Sequence, residues 1–282
     1  MNKRLAIFCA MMAMGAMLVW VRAQDGLVGR WTFDEGGGTN TVDVTGRGND
    51  GVLVGAPLPA WSSGVSSNAL RFDGVQNEVR VADDPGLTPT NALTLAAWVK
   101  TATNMTSEVI TKWSTNALAG SYILGLTNGF VSLELVLGGN YFQLVGWNSS
   151  LTDTNWHHIA GSYDGTNMTV YLDAAVTATG GAATNAALDV VTDPLRFGLL
   201  DGVLDDARLY DRALSANEIV AIYELDANGD RLRHVRGMNT RTDTDTDGDG
   251  LPDSVDADPL NYDHSTPSFT VTCPSDGATI YP

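Results

Sequence analysis

The sequence is poor in cysteine and in basic side chains. It contains two cysteines, and its 16 lysine and arginine residues face 33 aspartate and glutamate residues, so the formal net charge is −17 at pH 7. A surface with this charge repels nucleic acid and anionic membranes, so neither is expected as a partner. It favours bound cations instead, because they relieve the repulsion among carboxylates.

Long apolar runs are also scarce, and the single one lies at the N-terminus. A basic start, Met1–Arg4, precedes an apolar run over residues 5–21 and a small residue at Ala23. This pattern predicts a signal peptide, residues 1–23. A transmembrane anchor is the alternative, although about 17 residues is at the short limit for spanning. We therefore expect a secreted, extracellular protein without membrane insertion after cleavage, with association with the cell surface left open.

Cleavage of this signal peptide would remove Cys9 and three basic residues. Cys273 would then stand alone, so no intrachain disulfide could form. The mature chain would carry 13 basic and 33 acidic residues, a net charge of −20. Because about 200 residues of strand-rich sequence can bury a large core, we expect stability from that core or from bound metal.

Helical periodicity of useful length is absent before residue 213, and short apolar strands take its place. Leu27–Glu35 and Ala92–Lys100 carry alternating apolar residues, and Trp156–Asp173 contains two strands joined by the turn sequence Asp-Gly-Thr-Asn. Short strands at regular spacing predict an antiparallel sandwich. Further strands are predicted at Glu108–Trp113, Ser121–Leu126, Phe130–Leu137 and Tyr141–Trp147.

Two segments of the sequence carry motifs of a known family. Trp156–Asp173, with its Trp-His-His start and Tyr-Asp-Gly turn, resembles the core hairpin of laminin-G-like domains in the concanavalin A-like lectin/glucanase superfamily. Gly202–Ser215 resembles the closing strand of that family. The resemblance implies an all-β fold, an antiparallel jelly-roll β-sandwich over residues 24–224. A capping box at Ser215 predicts one short C-terminal helix, Ala216–Glu224.

After Glu224 the composition changes, and the sequence becomes rich in aspartate and poor in apolar residues. We therefore predict a domain boundary near Leu225 and an irregular, calcium-binding acidic linker over residues 225–265. Residues 266–282 resemble the start of an immunoglobulin-like repeat, which is incomplete because a lone strand cannot bury its apolar face.

Within that linker, Asp245–Asp256 has the ligand order of a calcium loop, with a glycine at the sixth position. It resembles a thrombospondin type 3 repeat, and the alternative is a solvated acidic linker. The predicted calcium ligands are Asp245, Asp247, Asp249, Leu251 through its carbonyl, Asp253 and Asp256. The segment Asp226–Asp230 begins in the same way, but His234 and Gly237 occupy later ligand positions, so it is interpreted as a degenerate loop.

A second calcium site is predicted within the sandwich. The family resemblance implies a calcium ion that ties the first strand to the last, and Asp34, Asn49 and Asp205 are the candidate ligands. The alternative is that these are ordinary carboxylates at strand ends.

Catalytic motifs are missing from the sequence. Glycanases of this fold place two or three glutamates at alternate positions of one strand, whereas Glu134 is isolated in its segment. His157 and His158 are adjacent strand residues, so they point to opposite faces and cannot chelate one ion together. We therefore do not expect an enzyme.

Aromatic side chains supply the candidate ligand-binding residues. Tyr141, Phe142 and Trp147 could stack on sugars, with Trp61 and Trp113 as further candidates, and the alternative for each aromatic is the core, where such side chains more often lie. The sequence therefore predicts a secreted, calcium-dependent binding module for a glycan or an extracellular protein. Its alternatives are an accessory domain of a larger carbohydrate-active enzyme and a structural spacer, and no oligomeric state is predicted.

Overall fold

A computed structural model describes residues 25–114, 120–182 and 186–227. The predicted signal peptide (residues 1–23), the calcium loop Asp245–Asp256 and the immunoglobulin-like segment (residues 266–282) lie outside the described residues. Within them, no helix is long and apolar enough to cross a membrane.

The described residues form sixteen strands, a short 3-10 turn (Pro85–Leu87) and one α-helix, α1 (Ala216–Ala227). In chain order the strands are β1 (Leu27–Trp31), β2 (Asn40–Thr41), β3 (Gly51–Val54), β4 (Ala60–Ser63), β5 (Asn68–Asp73), β6 (Glu78–Val81), β7 (Leu93–Lys100), β8 (Ser107–Trp113), β9 (Gly120–Thr127), β10 (Phe130–Leu137), β11 (Asn140–Ser150), β12 (His157–Tyr163), β13 (Asn167–Leu172), β14 (Ala175–Gly181), β15 (Leu195–Leu199) and β16 (Asp201–Tyr210).

The strands pair into two antiparallel eight-stranded sheets. Sheet A has the order β14-β13-β12-β7-β16-β5-β4, with β1 also paired to β16, and sheet B has the order β11-β10-β9-β8-β15-β6-β3-β2. The two-sheet sandwich confirms the fold predicted from sequence.

Strand β16 is shared between two partners on one of its edges. Its first half, Asp201–Leu204, pairs with β5, and its second half pairs with β1 from Ala207 to Tyr210. Between the halves the register with β7 shifts, and Asp206 has a positive φ of 47°. Asp205 and Asp206 therefore occupy the point at which the neighbouring strand changes from β5 to β1. We call this point the strand switch.

The main core lies between the sheets and follows strand alternation. Along β10, Val131, Leu133, Leu135 and Leu137 all belong to the core cluster, because side chains two residues apart share a face. Trp31 of β1 packs on Phe197 of β15 with ring centroids 4.7 Å apart, so the first strand of one sheet is fixed to the other sheet.

Helix α1 packs on the outer face of sheet A. Its Ile219 and Ile222 join a second apolar cluster with Ala96, Ala160 and Tyr210. The predicted capping box is present, because Ser215 N–H donates to Glu218 Oε2 at 2.8 Å and Glu218 N–H donates to Ser215 Oγ at 3.4 Å.

The helix continues to Ala227, three residues beyond the predicted end at Glu224. Its last turn is anchored by Asp226, whose two carboxylate oxygens accept hydrogen bonds from Arg208 at 2.5 and 2.6 Å. The indole of Trp98 donates a third bond at 3.1 Å. Asp226 is therefore part of the sandwich rather than the first ligand of a degenerate calcium loop.

Candidate functional site

The outer face of sheet B carries a connected group of polar side chains. Because alternate residues of β10 face the core, Glu134 points away from it, and its backbone partner on β11 is Gln143. Tyr141 Oη donates to Glu134 Oε2 at 2.8 Å, and Gln143 Nε2 donates to Glu134 Oε1 at 3.1 Å. Partial burial and the bond to Glu134 raise the pKa of Tyr141, so its hydroxyl stays a donor. The glutamate is thereby held in one position.

Two aromatic pairs flank this polar group. Trp113 of β8 meets Tyr141 of β11 edge to face with centroids 6.1 Å apart, so the rings lean over β9 and β10, which separate their strands. Phe130 and Trp147 form the second pair at 5.2 Å. Tyr141 is 54% exposed and Trp147 is 60% exposed. We call the surface formed by Trp113, Phe130, Glu134, Tyr141, Gln143 and Trp147 the sheet B platform.

Beneath and beside the platform are polar atoms that lack partners. The hydroxyls of Thr111, Ser121 and Ser132, together with one carboxylate oxygen of Glu108, are buried and have no hydrogen-bond partner among the residues that the structure describes. Ser132 alternates with the core residues of β10 and so belongs to the same outward face as Glu134. Unsatisfied buried polar groups are uncommon in proteins; these four lie in sheet B, while those of His158 and Tyr210 lie in sheet A.

Not every aromatic residue predicted to bind ligand belongs to the platform. Tyr141 and Trp147 do, but Phe142 alternates to the opposite face of β11 and packs against the core between the sheets. The prediction for Phe142 is therefore wrong, because adjacent strand residues point in opposite directions. Trp61 also packs against that core.

The acids at the strand switch form a separate group. Asp205 is 1% exposed, and its carboxylate accepts hydrogen bonds from the backbone N–H groups of Val65 and Asp206, each at 2.8 Å. A Cβ at position 64 would lie 2.5 Å from this carboxylate, so Gly64 permits the close approach. Burial and the negative charges of Asp206 and Asp34 raise the pKa of Asp205 to about 8.

The three predicted sandwich ligands are not brought together. Asp34 interacts electrostatically with Asp205, but Asn49 donates to Asp43 Oδ2 at 3.2 Å and takes part in a different hydrogen-bond network. Within residues 25–114, 120–182 and 186–227, no three His, Cys, Asp or Glu side chains are grouped so that they could hold a metal ion. Of the three predicted ligands, only Asp34 and Asp205 are near enough to interact, and the calcium site stays a prediction.

Sequence reasoning missed the role of Glu134, Gln143 and Phe130. Glu134 was interpreted as an isolated acid, because its partners are on a neighbouring strand and the register of β10 with β11 is not visible in sequence. The signal in the sequence that could have grouped them is the even spacing of Tyr141, Gln143 and Trp147 along one strand, because side chains an even number of residues apart share a face.

A family model for the concanavalin A-like lectin/glucanases superfamily matches residues 73–220. No curated protein sequence matches the chain. The match covers more than half of the chain and includes every residue of the sheet B platform.

Solved structures with the same fold include bacterial binding domains. The binding domain of Paraclostridial Mosquitocidal Protein 1 has a TM-score of 0.59 at 13% identity, over 72% of this chain and 52% of that one. The receptor-binding domain of botulinum neurotoxin mosaic serotype C/D has a TM-score of 0.57 at 14% identity, over 72% and 51%. The chain therefore spans about half the length of these toxin domains.

A third similar structure is matched over almost its whole length. It is Domain 4 of AbnA, a GH43 extracellular arabinanase from Geobacillus stearothermophilus, solved in complex with arabinotriose. Its TM-score is 0.52 at 20% identity, over 70% of this chain and 98% of that one. Because the sequence identities to all three structures are low, the similarity shows a shared fold and no more.

Proposed function

Because the chain belongs to the concanavalin A-like lectin/glucanases superfamily, we propose that it is a glycan-binding module that uses the sheet B platform. The observation that carries the proposal is the pairing of exposed aromatic rings with a fixed carboxylate on one sheet face. Tyr141 and Trp147 are more than half exposed, although burial of such rings is energetically favourable.

The platform matches the chemistry of a sugar. Aromatic faces contact the apolar C–H face of a sugar ring, while a few fixed polar groups set its orientation. Glu134 accepts hydrogen bonds, and the Gln143 amide both donates and accepts. A sugar hydroxyl group can therefore be bound either as a donor or as an acceptor. Because Tyr141 and Gln143 already hold Glu134, little ordering cost remains to be met on binding.

The three similar structures guide the choice of ligand to test. Domain 4 of AbnA was solved with arabinotriose, which makes arabino-oligosaccharides the first probes and supports a role beside a carbohydrate-active enzyme. The toxin domains are named as binding or receptor-binding domains, which supports a cell-surface ligand as the second candidate. A glycan array with both plant and cell-surface oligosaccharides covers the two.

Replacing Trp147 by alanine is expected to weaken glycan binding at least about tenfold, because exposed aromatic anchors dominate such sites. Tyr141→Phe, which removes only the hydroxyl that holds Glu134, should weaken it less. Titration calorimetry with the best array ligand measures both, with Val75→Ala, at a surface position that is 79% exposed, as the control. Unchanged affinity in Trp147→Ala would refute the platform. Release of reducing sugar, lost in Glu134→Gln, would show an enzyme instead of a binding module.

The proposal includes calcium dependence and secretion. The ligand order of Asp245–Asp256 supports a calcium site after the sandwich, and the apolar leader supports export. Calorimetry on the full chain should detect calcium uptake, and replacing both Asp247 and Asp249 by alanine should abolish the part due to this loop. No heat at millimolar calcium would remove calcium from the proposal.

A second calcium ion at the strand switch can be tested separately. A cation between Asp34 and Asp205 would relieve their repulsion, with water or backbone oxygens completing its coordination. In the chain that lacks Asp247 and Asp249, calcium at a hundredfold excess over its Kd should stabilise the fold by about 2.7 kcal/mol. That corresponds to several degrees of Tm, and Asp205→Asn should remove the difference between calcium and chelator. Identical melting in both buffers would show that Asp34 and Asp205 hold no calcium ion.

A further inference from the structure

A cavity of about 360 Å³ lies beside β1, on a different part of the sandwich from the sheet B platform. Leu27, Arg30, Val44, Thr45 and Arg47 line it. The residues that line it therefore include two apolar residues and two arginines. Cationic walls are unusual in this chain, which has about twice as many acidic as basic residues.

The two arginines differ in whether their guanidinium groups are paired with carboxylates. Arg30 donates through Nε to Asp206 at 2.9 Å, and its Nη2 lies 2.8 Å from Asp206 and 3.8 Å from Asp226. In the part of the chain that the structure describes, the guanidinium of Arg47 makes no hydrogen bond or ion pair. Arg47 thus supplies about one unit of uncompensated positive charge to the cavity.

The loop that carries Arg47 is held in place by Asp43. This carboxylate is 2% exposed and accepts bonds from the Arg30 backbone N–H at 3.1 Å and from the Thr45 hydroxyl at 2.7 Å. It also accepts from the Asn49 side chain. The loop is therefore fixed before any ligand binds, which lowers the ordering cost of binding.

We propose that this cavity binds a sugar residue that carries one carboxylate, which is a uronic acid. One uncompensated guanidinium matches one negative charge, and its planar fork can hold a carboxylate through two parallel hydrogen bonds. Leu27 and Val44 can contact the C–H groups of a single ring, and the volume is at the small end of ligand pockets. The sugar part of this inference rests on the proposed function, whereas the anionic part does not.

The test is titration of the full chain with trigalacturonate, followed by calorimetry. Arg47→Ala is expected to weaken binding at least about tenfold, which is the loss of one charge-assisted contact of about 1.4 kcal/mol. Arg47 is exposed and flanked by Gly46 and Gly48, so this variant should fold normally. Arg71→Ala is the matched control, because it removes one charge from an arginine side chain that is 60% exposed elsewhere.

Two further probes separate the possible outcomes. Methyl-esterified trigalacturonate, which lacks the charge, should bind at least about tenfold more weakly, and inorganic sulfate should not reproduce the affinity of the sugar. Equal binding of the methyl ester, equal binding by Arg47→Ala, or sulfate binding as tight as that of trigalacturonate would each overturn the inference.

Trp147→Ala distinguishes this inference from the proposed function. If trigalacturonate binding is lost in Trp147→Ala but kept in Arg47→Ala, the ligand occupies the sheet B platform and the cavity assignment fails. If uronate binding needs Arg47 while no neutral glycan binds the platform, the proposed function fails and the cavity assignment stands.

Discussion

Replacing Asp226 by alanine should lower the free energy of unfolding by about 3–5 kcal/mol, the usual cost of removing one partner from a buried ion pair. Arg208 is 2% exposed and would lose two hydrogen bonds, keeping only Asp206, whose Oδ1 is 3.4 Å from its Nη2, as a charge partner. Burial by itself lowers the pKa of Arg208, but the carboxylates of Asp226 and Asp206 outweigh burial and raise this pKa. Because a guanidinium does not lose its proton in proteins, the buried charge would remain in the variant. Equilibrium urea unfolding of the full chain measures the loss.

Two controls separate the ion pair from a general effect of charge. Asp211→Ala removes an exposed carboxylate just before α1 and should change stability by less than about 0.5 kcal/mol. The double variant Arg208→Met with Asp226→Leu replaces both charges by apolar groups and should recover most of the stability. A small effect of Asp226→Ala alone would show that the end of α1 does not need its anchor.

Replacing His158 by phenylalanine should stabilise the protein, and the gain should grow as the pH falls below 6.5. His158 is fully buried and meets the stacked rings of Trp98 and Tyr223 edge to face, and neither of its ring nitrogens has a hydrogen-bond partner among the described residues. Burial and the positive charge of Arg208 lower the pKa of His158 to about 3, against the weaker opposing effects of Asp173 and Asp206. The imidazole is therefore neutral in the folded protein at physiological pH.

The direction of the pH dependence follows from this shift. Between pH 6.5 and about 3 the unfolded chain binds a proton at His158 and the folded chain does not, so wild-type stability falls as the pH falls. At pH 5 this amounts to roughly 2 kcal/mol, at about 1.4 kcal/mol per pH unit. The neighbouring His157 contributes in the opposite direction. Burial by itself lowers the pKa of His157, but hydrogen bonds to Asp173 and Asp153 outweigh burial and raise this pKa.

Comparison of the variant with the wild type isolates His158 from these other groups. Urea unfolding at pH 7.5, 6 and 5 should give a stability difference that widens steadily towards acid. His158→Leu provides a second apolar replacement in case the larger ring does not fit. Parallel stability curves for the wild type and both variants would show that His158 takes up its proton without unfolding.

The fold was predictable because its signals are local. Alternating strands, the hairpin Trp156–Asp173 and the capping box at Ser215 are short-range patterns, and the structure has all three. The end of α1 was placed too early because its stabilising partner, Arg208, precedes Asp226 by 18 residues. No periodicity or cap within the helix signals a bond to another strand.

The sites were predicted less completely, since they depend on register. Tyr141 and Trp147 were identified by residue type, but only the pairing of β10 with β11 shows that Glu134 belongs with them. The same limit misplaced Phe142, one position out of phase with the platform. Asp34 and Asp205 interact electrostatically, as the order of first and last strands in the family fold implies. Asn49 instead belongs to a loop whose hydrogen bonds to Asp43 could not be predicted from sequence.

The sharing of β16 between β5 and β1 also has a mechanical consequence. Leu27 of β1 is the antiparallel partner of Tyr210, so tension between the chain before Leu27 and the chain after Tyr210 separates the pair from one end. Its hydrogen bonds then break one after another instead of sharing the load. The opening stops at Trp31, whose buried indole donates to the Asn49 carbonyl at 2.7 Å, while β16 stays paired with β7. Under pulling force, β1 thus acts as a short extensible segment that gives way before the core and the sheet B platform do.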